Sequence, residues 1–167
     1  MLDRIVGYLH SQAVSFRLSS HPSPEARPTI AVRAPPGGVV VQTHVLIVGG
    51  QTAVAVVPRG DALDLPRLQV ELGTTVVEAR AADLSASLAG ASGAVPPLGG
   101  AFGWLTIVDE RVSTTAAIVF EAFSPDDIME IPYEDFSRLE RPRIAAFAIA
   151  GELPERASGA EPERRSA

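Results

Sequence analysis

The chain has 167 residues, 46% of them apolar, with 14 basic and 20 acidic residues and a formal charge of −6. That is enough apolar chain to bury one core, and the absence of cysteine excludes disulfides, a thiol nucleophile and thiolate metal sites. The acidic balance excludes broad phosphate-driven binding to nucleic acid, DNA included. There is also no apolar run of about 18 residues, the length a membrane span needs, so a cytoplasmic protein without membrane contact is expected.

Leu2, Ile5, Val6 and Leu9 recur at helical spacing and predict a first helix ending near Gln12. Val14, Phe16 and Leu18 alternate as a strand would, running toward Ser19-Ser20-His21-Pro22. Residues 23–38 are proline-rich with little periodicity, apart from a short helix start at Pro24 to Arg27. Val39 to Val48 is the clearest strand, and Gly49-Gly50 turns it into Gln51 to Val57 as a hairpin. Asp64 is placed to cap a helix that tolerates Pro66 in its first turn and stops at Gly73. Thr74 to Ala79 reads as a strand and Ala81 to Ala89 as a helix closed by Gly90. Trp104 to Asp109, Ala116 to Phe123 and Ile128 to Ile131 read as strands. A helix over Tyr133 to Leu139 and a last segment, Arg143 to Ile149, complete the domain, residues 1–150. The remainder, 151–167, has the composition of a disordered tail. Hairpins interleaved with short helices imply a single α+β domain with a mixed sheet.

The stretch with most chemical content is Ser92 to Gly100, which carries Gly93, Gly99, Gly100, Pro96 and Pro97 and no ionisable side chain. Prolines fix φ, glycines let a ligand approach the main chain, and backbone N–H groups are the only strong donors on offer. Its GxxxP core, Gly93-Ala94-Val95-Pro96-Pro97, stands among further landmarks in a fixed order. These are His21-Pro22, Gln42-Thr43, AVAVVPRGDALDLPRL, Val108-Asp109-Glu110, Val119-Phe120-Glu121-Ala122 and IPYEDFSRLERPRIAAFA.

On these motifs the chain resembles the YbaK/EbsC family of aminoacyl-tRNA deacylases, a domain also inserted in bacterial prolyl-tRNA synthetases, over residues 5–147. The resemblance implies a curved mixed sheet, closed like a barrel and flanked by helices. It also implies an aminoacyl-tRNA 3′ end as partner, with an aminoacyl-tRNA synthetase as a further one, and no cofactor. An aminoacyl ester is an activated acyl group, so its hydrolysis asks for a placed water and a stabilised oxyanion. The resemblance assigns the oxyanion to the N–H groups of Gly93, Ala94 and Val95 on a loop stiffened by Pro96, with the substrate ribose hydroxyl assisting. Gln42, His44, His21, Asp109 and Pro125 would shape the substrate site, and Val40, Val54, Val56 and Ala122 would favour a small amino acid.

The chain departs from the family at two of these positions: Gln42 stands where relatives carry lysine, and Pro125 where they carry histidine. Both changes motivate an alternative, a binding module that keeps the fold without turnover. The three histidines, His10, His21 and His44, have no metal-ligand spacing. Asp109, at a strand end, is also suited to capping a turn. Arg33 and Arg59 are candidates for a phosphate, and Trp104 for stacking on a terminal base.

Overall fold

The structure, a computed structural model, describes residues 1–20, 33–80, 84, 95–124 and 126–151. The expected helix start at 24–27, all of the expected helix at 81–89 except Leu84, and the tail beyond Gly151 lie outside the described residues.

Helix α1 (Leu2–Ser11) buries Ile5 and Leu9 completely. Ala13 then takes a positive φ of 53°, and the amides of Gln12, Ala13 and Val14 close back onto the helix end. That turn sends Val14 into the core, so strand β1 begins only at Arg17 (Arg17–Ser20) and is exposed along its length. The alternation of Val14 and Phe16 therefore reports a buried turn rather than a ladder.

Strands β2 (Val39–Val48) and β3 (Gln51–Pro58) form the expected hairpin, with Val48 opposite Gln51. Gly49 and Gly50 both have positive φ, 54° and 84°, the requirement of a two-residue turn that matches strand twist. β3 is buried without interruption from Ala53 to Val57, because the sheet has a core on each side. Val56 packs with Ile5, Leu98, Val108, Ile118, Phe120 and Phe136 in the first core. Ala53, Ala55 and Val57 pack with Leu46, Leu68, Ile107 and Phe147 in the second. A strand covered on both faces loses its alternation and reads as a continuous apolar run.

After the short strand β4 (Ala62–Leu63), Asp64 caps helix α2 (Leu65–Leu72) by accepting the Arg67 amide at 3.0 Å, and Gly73 ends the helix in the left-handed region. Strand β5 (Val76–Glu78) follows. A 3-10 turn (Gly99–Phe102) leads into β6 (Leu105–Asp109), helix α3 (Glu110–Ser113), β7 (Ala117–Glu121), β8 (Asp127–Pro132) and helix α4 (Tyr133–Glu140). The last segment divides into β9 (Arg143–Ala145) and β10 (Ala148–Ile149).

The main sheet runs β1-β8-β7-β2-β3-β6-β9, with β5 also on β2, while β10 pairs with β4. It is mixed: β2 is antiparallel to β3 but parallel to β7, and β6 is parallel to both β3 and β9. The path runs from β1 to β9, and those two strands are not paired with each other. On its outer edge β2 changes partner. Val39 and Val40 pair with β7, and Leu46 to Val48 pair with β5.

Asp109 is the polar anchor of this arrangement. It is 1% exposed, caps α3 through the Arg111 amide at 3.0 Å, and accepts the amides of Phe147 at 2.9 Å and Ala148 at 2.8 Å. The Arg111 guanidinium reaches Asp109 Oδ1 at 3.3 Å and Asp61 Oδ2 at 2.6 Å, and Asp61 Oδ1 accepts the Gly151 amide at 3.0 Å. Burial pushes the Asp109 carboxyl up, but the donors from Phe147, Arg111 and Ala148 outweigh it and hold the group below its usual range.

Since the folded value lies below the unfolded one, this stabilisation is complete above about pH 3.9 and is lost as pH falls through the folded value. Asp109→Asn turns an acceptor edge into a donor edge facing two amides. It is expected to cost about 3 kcal/mol near neutral pH. In urea unfolding measured across a pH series, the difference from the parent should shrink below about pH 4.

Candidate functional site

The candidate site is built around the middle of β2 and the base of the glycine-proline loop. Between its ladders with β7 and β5, β2 is paired only with β3 among the described strands. The Arg59 amide donates to Val40 O at 2.9 Å, so the even-numbered residues of β2 turn their backbone groups toward β3. Thr43, an odd-numbered residue, therefore turns its N–H and C=O toward the interval between β7 and β5. At the far side of that interval the Ala79 amide donates to Val45 O at 2.9 Å.

Side chains divide by the same alternation. Gln42 lies opposite Val57 and His44 opposite Ala55, on the face of the second core. Thr43 lies opposite Val56, on the face of the first. Gln42 is clipped to the turn after β3: its Nε2 donates to Asp61 O at 2.7 Å, and its Oε1 accepts the Gly60 amide at 3.3 Å. These two bonds fix which end of the amide is nitrogen. The Gln42 Nε2 lies 3.4 Å from His44 Nε2. On its other side His44 Nδ1 faces Glu78 Oε1 at 3.9 Å. Arg59 and Glu121 form an ion pair between the ends of β3 and β7.

The described part of the loop is firmly seated. Val95 is half-buried, Pro96, Pro97, Leu98 and Gly99 are buried, and Leu98 packs into the first core. A Cβ on Gly99 would stand 2.7 Å from Thr106 Oγ1 and 2.9 Å from Leu105 O; one on Gly100 would stand 2.3 Å from the Tyr8 hydroxyl. Gly99 is thus required by close approach of backbone rather than by unusual φ, while a Cβ at Gly100 would have to displace the Tyr8 hydroxyl. Next to them, Phe102 stacks on Trp104 at 4.8 Å and meets Phe123 edge-on at 6.0 Å, with the Arg4 guanidinium 4.8 Å from the Phe102 centroid.

Among the residues singled out from sequence, Gln42 and His44 come together, while Val95 is half-buried and Pro96 buried in the loop whose Leu98 packs into the first core. Asp109 caps α3 and its carboxylate is occupied internally. Gly93, Ala94, His21 and Pro125 lie outside the described residues. Val54, Val56 and Ala122 have no exposed surface and are core, so of the expected apolar walls only Val40 is partly accessible. Thr43, named in the sequence only as the neighbour of Gln42, lies on the first-core face, as strand alternation counted from Val41 requires. Arg59 is paired with Glu121 rather than isolated. Among the described residues no group of three His, Asp or Glu side chains is arranged to hold a metal ion. No described helix is long and apolar enough to cross a membrane.

Comparison with known proteins agrees with this architecture. The chain superimposes on a candidate signal transduction protein from Marinobacter aquaeolei VT8 with a TM-score of 0.69 and 23% identity, over 88% of this chain and 30% of that one. It thus spans under a third of that protein's length. A candidate trans-editing enzyme for prolyl tRNA synthetase gives a TM-score of 0.66 at 16% identity, covering 89% of this chain and 97% of the other. The hypothetical protein APE2540 also gives 0.66 at 16% identity, covering 87% and 99%. No curated protein matches the chain. At these identities the likenesses establish a shared fold. A family model of the aminoacyl-tRNA editing domain matches residues 29–139, which include the hairpin, the glycine-proline loop and β6 to α4. The chain belongs to the aminoacyl-tRNA editing domain family, the YbaK family that its motifs resemble.

Proposed function

We propose that this protein is an aminoacyl-tRNA deacylase that acts in trans, hydrolysing the ester of a mischarged small amino acid. The observation that carries the reading is the seated base of the loop, Pro96 to Gly99, within a chain of the editing-domain family. A rigid base is what main-chain oxyanion stabilisation needs, because donors must be aimed before charge develops. In the proposed reaction a water oxygen attacks the ester carbonyl carbon, and the substrate's own ribose hydroxyl helps to orient it. The carbonyl oxygen becomes the oxyanion held by the amides of Gly93, Ala94 and Val95. The bond to the ribose oxygen then breaks, that oxygen takes a proton, and free amino acid and tRNA leave.

A second reading, a binding module that retains aminoacyl-tRNA without turnover, is favoured by Gln42. Where the family carries a cation, this side chain is neutral and spends its amide on Gly60 and Asp61.

The deciding experiment is deacylation of a tRNA panel charged with amino acids from alanine to phenylalanine. The expected result is turnover favouring the small residues, with discrimination of about 1–3 kcal/mol per methylene. Gly93→Ala should lower kcat by about 10²-fold with the melting temperature retained; unchanged kcat would remove the loop from the mechanism. Gln42→Lys supplies the missing cation. It is expected to steepen the salt dependence of tRNA binding while costing about 1–2 kcal/mol of stability through the lost clip.

A further inference from the structure

Glu140 is the last residue of α4, and its carboxylate collects three donors from three other elements. Oε2 accepts the Gly100 amide at 2.9 Å and the Thr106 hydroxyl at 2.6 Å, and Oε1 accepts the Tyr8 hydroxyl at 3.0 Å. Gly100 belongs to the 3-10 turn, Thr106 to β6 and Tyr8 to α1. A carboxylate at a helix C-terminus opposes the helix dipole, so the position carries a local cost that the three bonds offset. Burial, together with the charge of Glu140 and the hydrogen bond to it, pushes the Tyr8 hydroxyl up, keeping it a proton donor far above neutral pH. Gly100 and Thr106 lie within the residues matched by the family model, Glu140 lies one residue beyond them, and Tyr8 precedes them.

We infer that Glu140 is a positioning residue that holds the glycine-proline loop in working geometry through the Gly100 amide. This rests on the deacylase reading for its catalytic consequence, though not for its physical content. Two of the contacts that seat the chain from Val95 to Gly100 bear on the inference most directly. Leu98 is locked into the first core, and Gly100, two residues on, is held by Glu140 with no room for a Cβ between that carboxylate and Tyr8. A third bond, from the Arg4 Nε to Ala101 O at 3.0 Å, ties the next residue to α1. Releasing Gly100 removes the tie between the loop base and α4, leaving the Leu98 packing, the Trp104 amide on Gly99 O at 2.9 Å and the Arg4 bond to Ala101. On the deacylase reading the loop's amides have to be aimed at the developing oxyanion, and a small misplacement of such donors reduces turnover steeply.

The chemistry of the clip supplies a discriminating series. In Glu140→Gln the amide oxygen can keep both the Gly100 and Thr106 bonds, and the amide nitrogen can donate to the Tyr8 hydroxyl, which accepts as well as donates. Glu140→Ala removes all three contacts, and Thr106→Val removes one without changing side-chain shape much. Each variant is assayed for kcat and KM on charged tRNA well below its melting temperature, and for the exchange rate of the Gly100 amide by NMR. Glu140→Ala should lower kcat about tenfold or more with KM within twofold of the parent and speed Gly100 exchange. Thr106→Val should show a smaller fall in kcat, and Glu140→Gln should stay near the parent in both readouts. A lower melting temperature in Glu140→Ala with kcat and Gly100 exchange unchanged overturns the inference. Where Glu140→Ala does not fold, the same comparison is made between Thr106→Val and Glu140→Gln. If the parent turns over no charged tRNA, the deacylase reading falls and exchange alone decides. Faster exchange in Glu140→Ala than in the parent and Glu140→Gln supports positioning, and equal rates overturn it.

Discussion

Everything in this fold is arranged around a strand whose five middle residues touch no solvent. From Ala53 to Val57, β3 is covered on both faces, so its neighbours on either edge must satisfy its backbone and two separate cores must close over it. β2 and β6 are those neighbours. β6 inherits the same problem, because four of its five residues are buried, including Thr106 and Asp109. Polar groups in such a place are stabilising only when every acceptor has a donor. The solution is a carboxylate tied near each end of β6. Glu140 receives Thr106 near the start of the strand, and Asp109 receives the amides of Phe147 and Ala148 at its end. The first tie recruits α1, α4 and the loop base; the second recruits α3, the segment after β9 and, through Arg111, the turn at Asp61. The apolar cores set which elements stack, and these two carboxylates fix how the elements between them are aligned.

How much of this could be read from sequence depended on the range of the interaction. The hairpin was legible because Gly49-Gly50 demands its own turn type locally, and α2 because Asp64, Pro66 and Gly73 are start and stop signals within one helix length. β3 was legible as a strand, but its five-residue apolar run does not say that two cores exist. Val14 was misread, since a buried turn after a helix and the first residue of a strand give the same alternation over three positions. The change of partner along β2 was invisible: pairing with β7 at one end and β5 at the other is set by segments about 30 and 80 residues away. So too was the role of Glu140, which looks like an ordinary helix-end residue until Tyr8 and Thr106 are brought beside it.

The site is similarly divided between what motifs carry and what folding adds. The resemblance drew attention to Gln42 through its place beside Thr43, yet alternation sends the two side chains to opposite faces of β2. Gln42 meets the turn at Gly60 and Asp61, while Thr43 shares the face on which Leu98 is seated. A lysine at position 42 would have a long enough stem to bring its charge around a strand edge. Glutamine is shorter and already has two partners on that turn. Glutamine at position 42 thus differs from a lysine in more than charge: its amide is part of the scaffold.

Charge placement points the same way. Arg17 faces Glu130, Arg59 faces Glu121, Arg111 faces Asp61 and Asp109, and Arg138 faces Asp135. In a chain of net charge −6 without lysine, cations held in this way contribute little to a phosphate backbone, because each contact would first have to break or share an ion pair. Under the proposed deacylase function, recognition would then rest more on shape and main-chain hydrogen bonds at the esterified end than on these four arginines. That is the kind of recognition in which the exact seating of a short loop matters most. It gives a physical reason for committing two glycines, a tyrosine, a threonine and a helix-terminal glutamate to holding the base of that loop still.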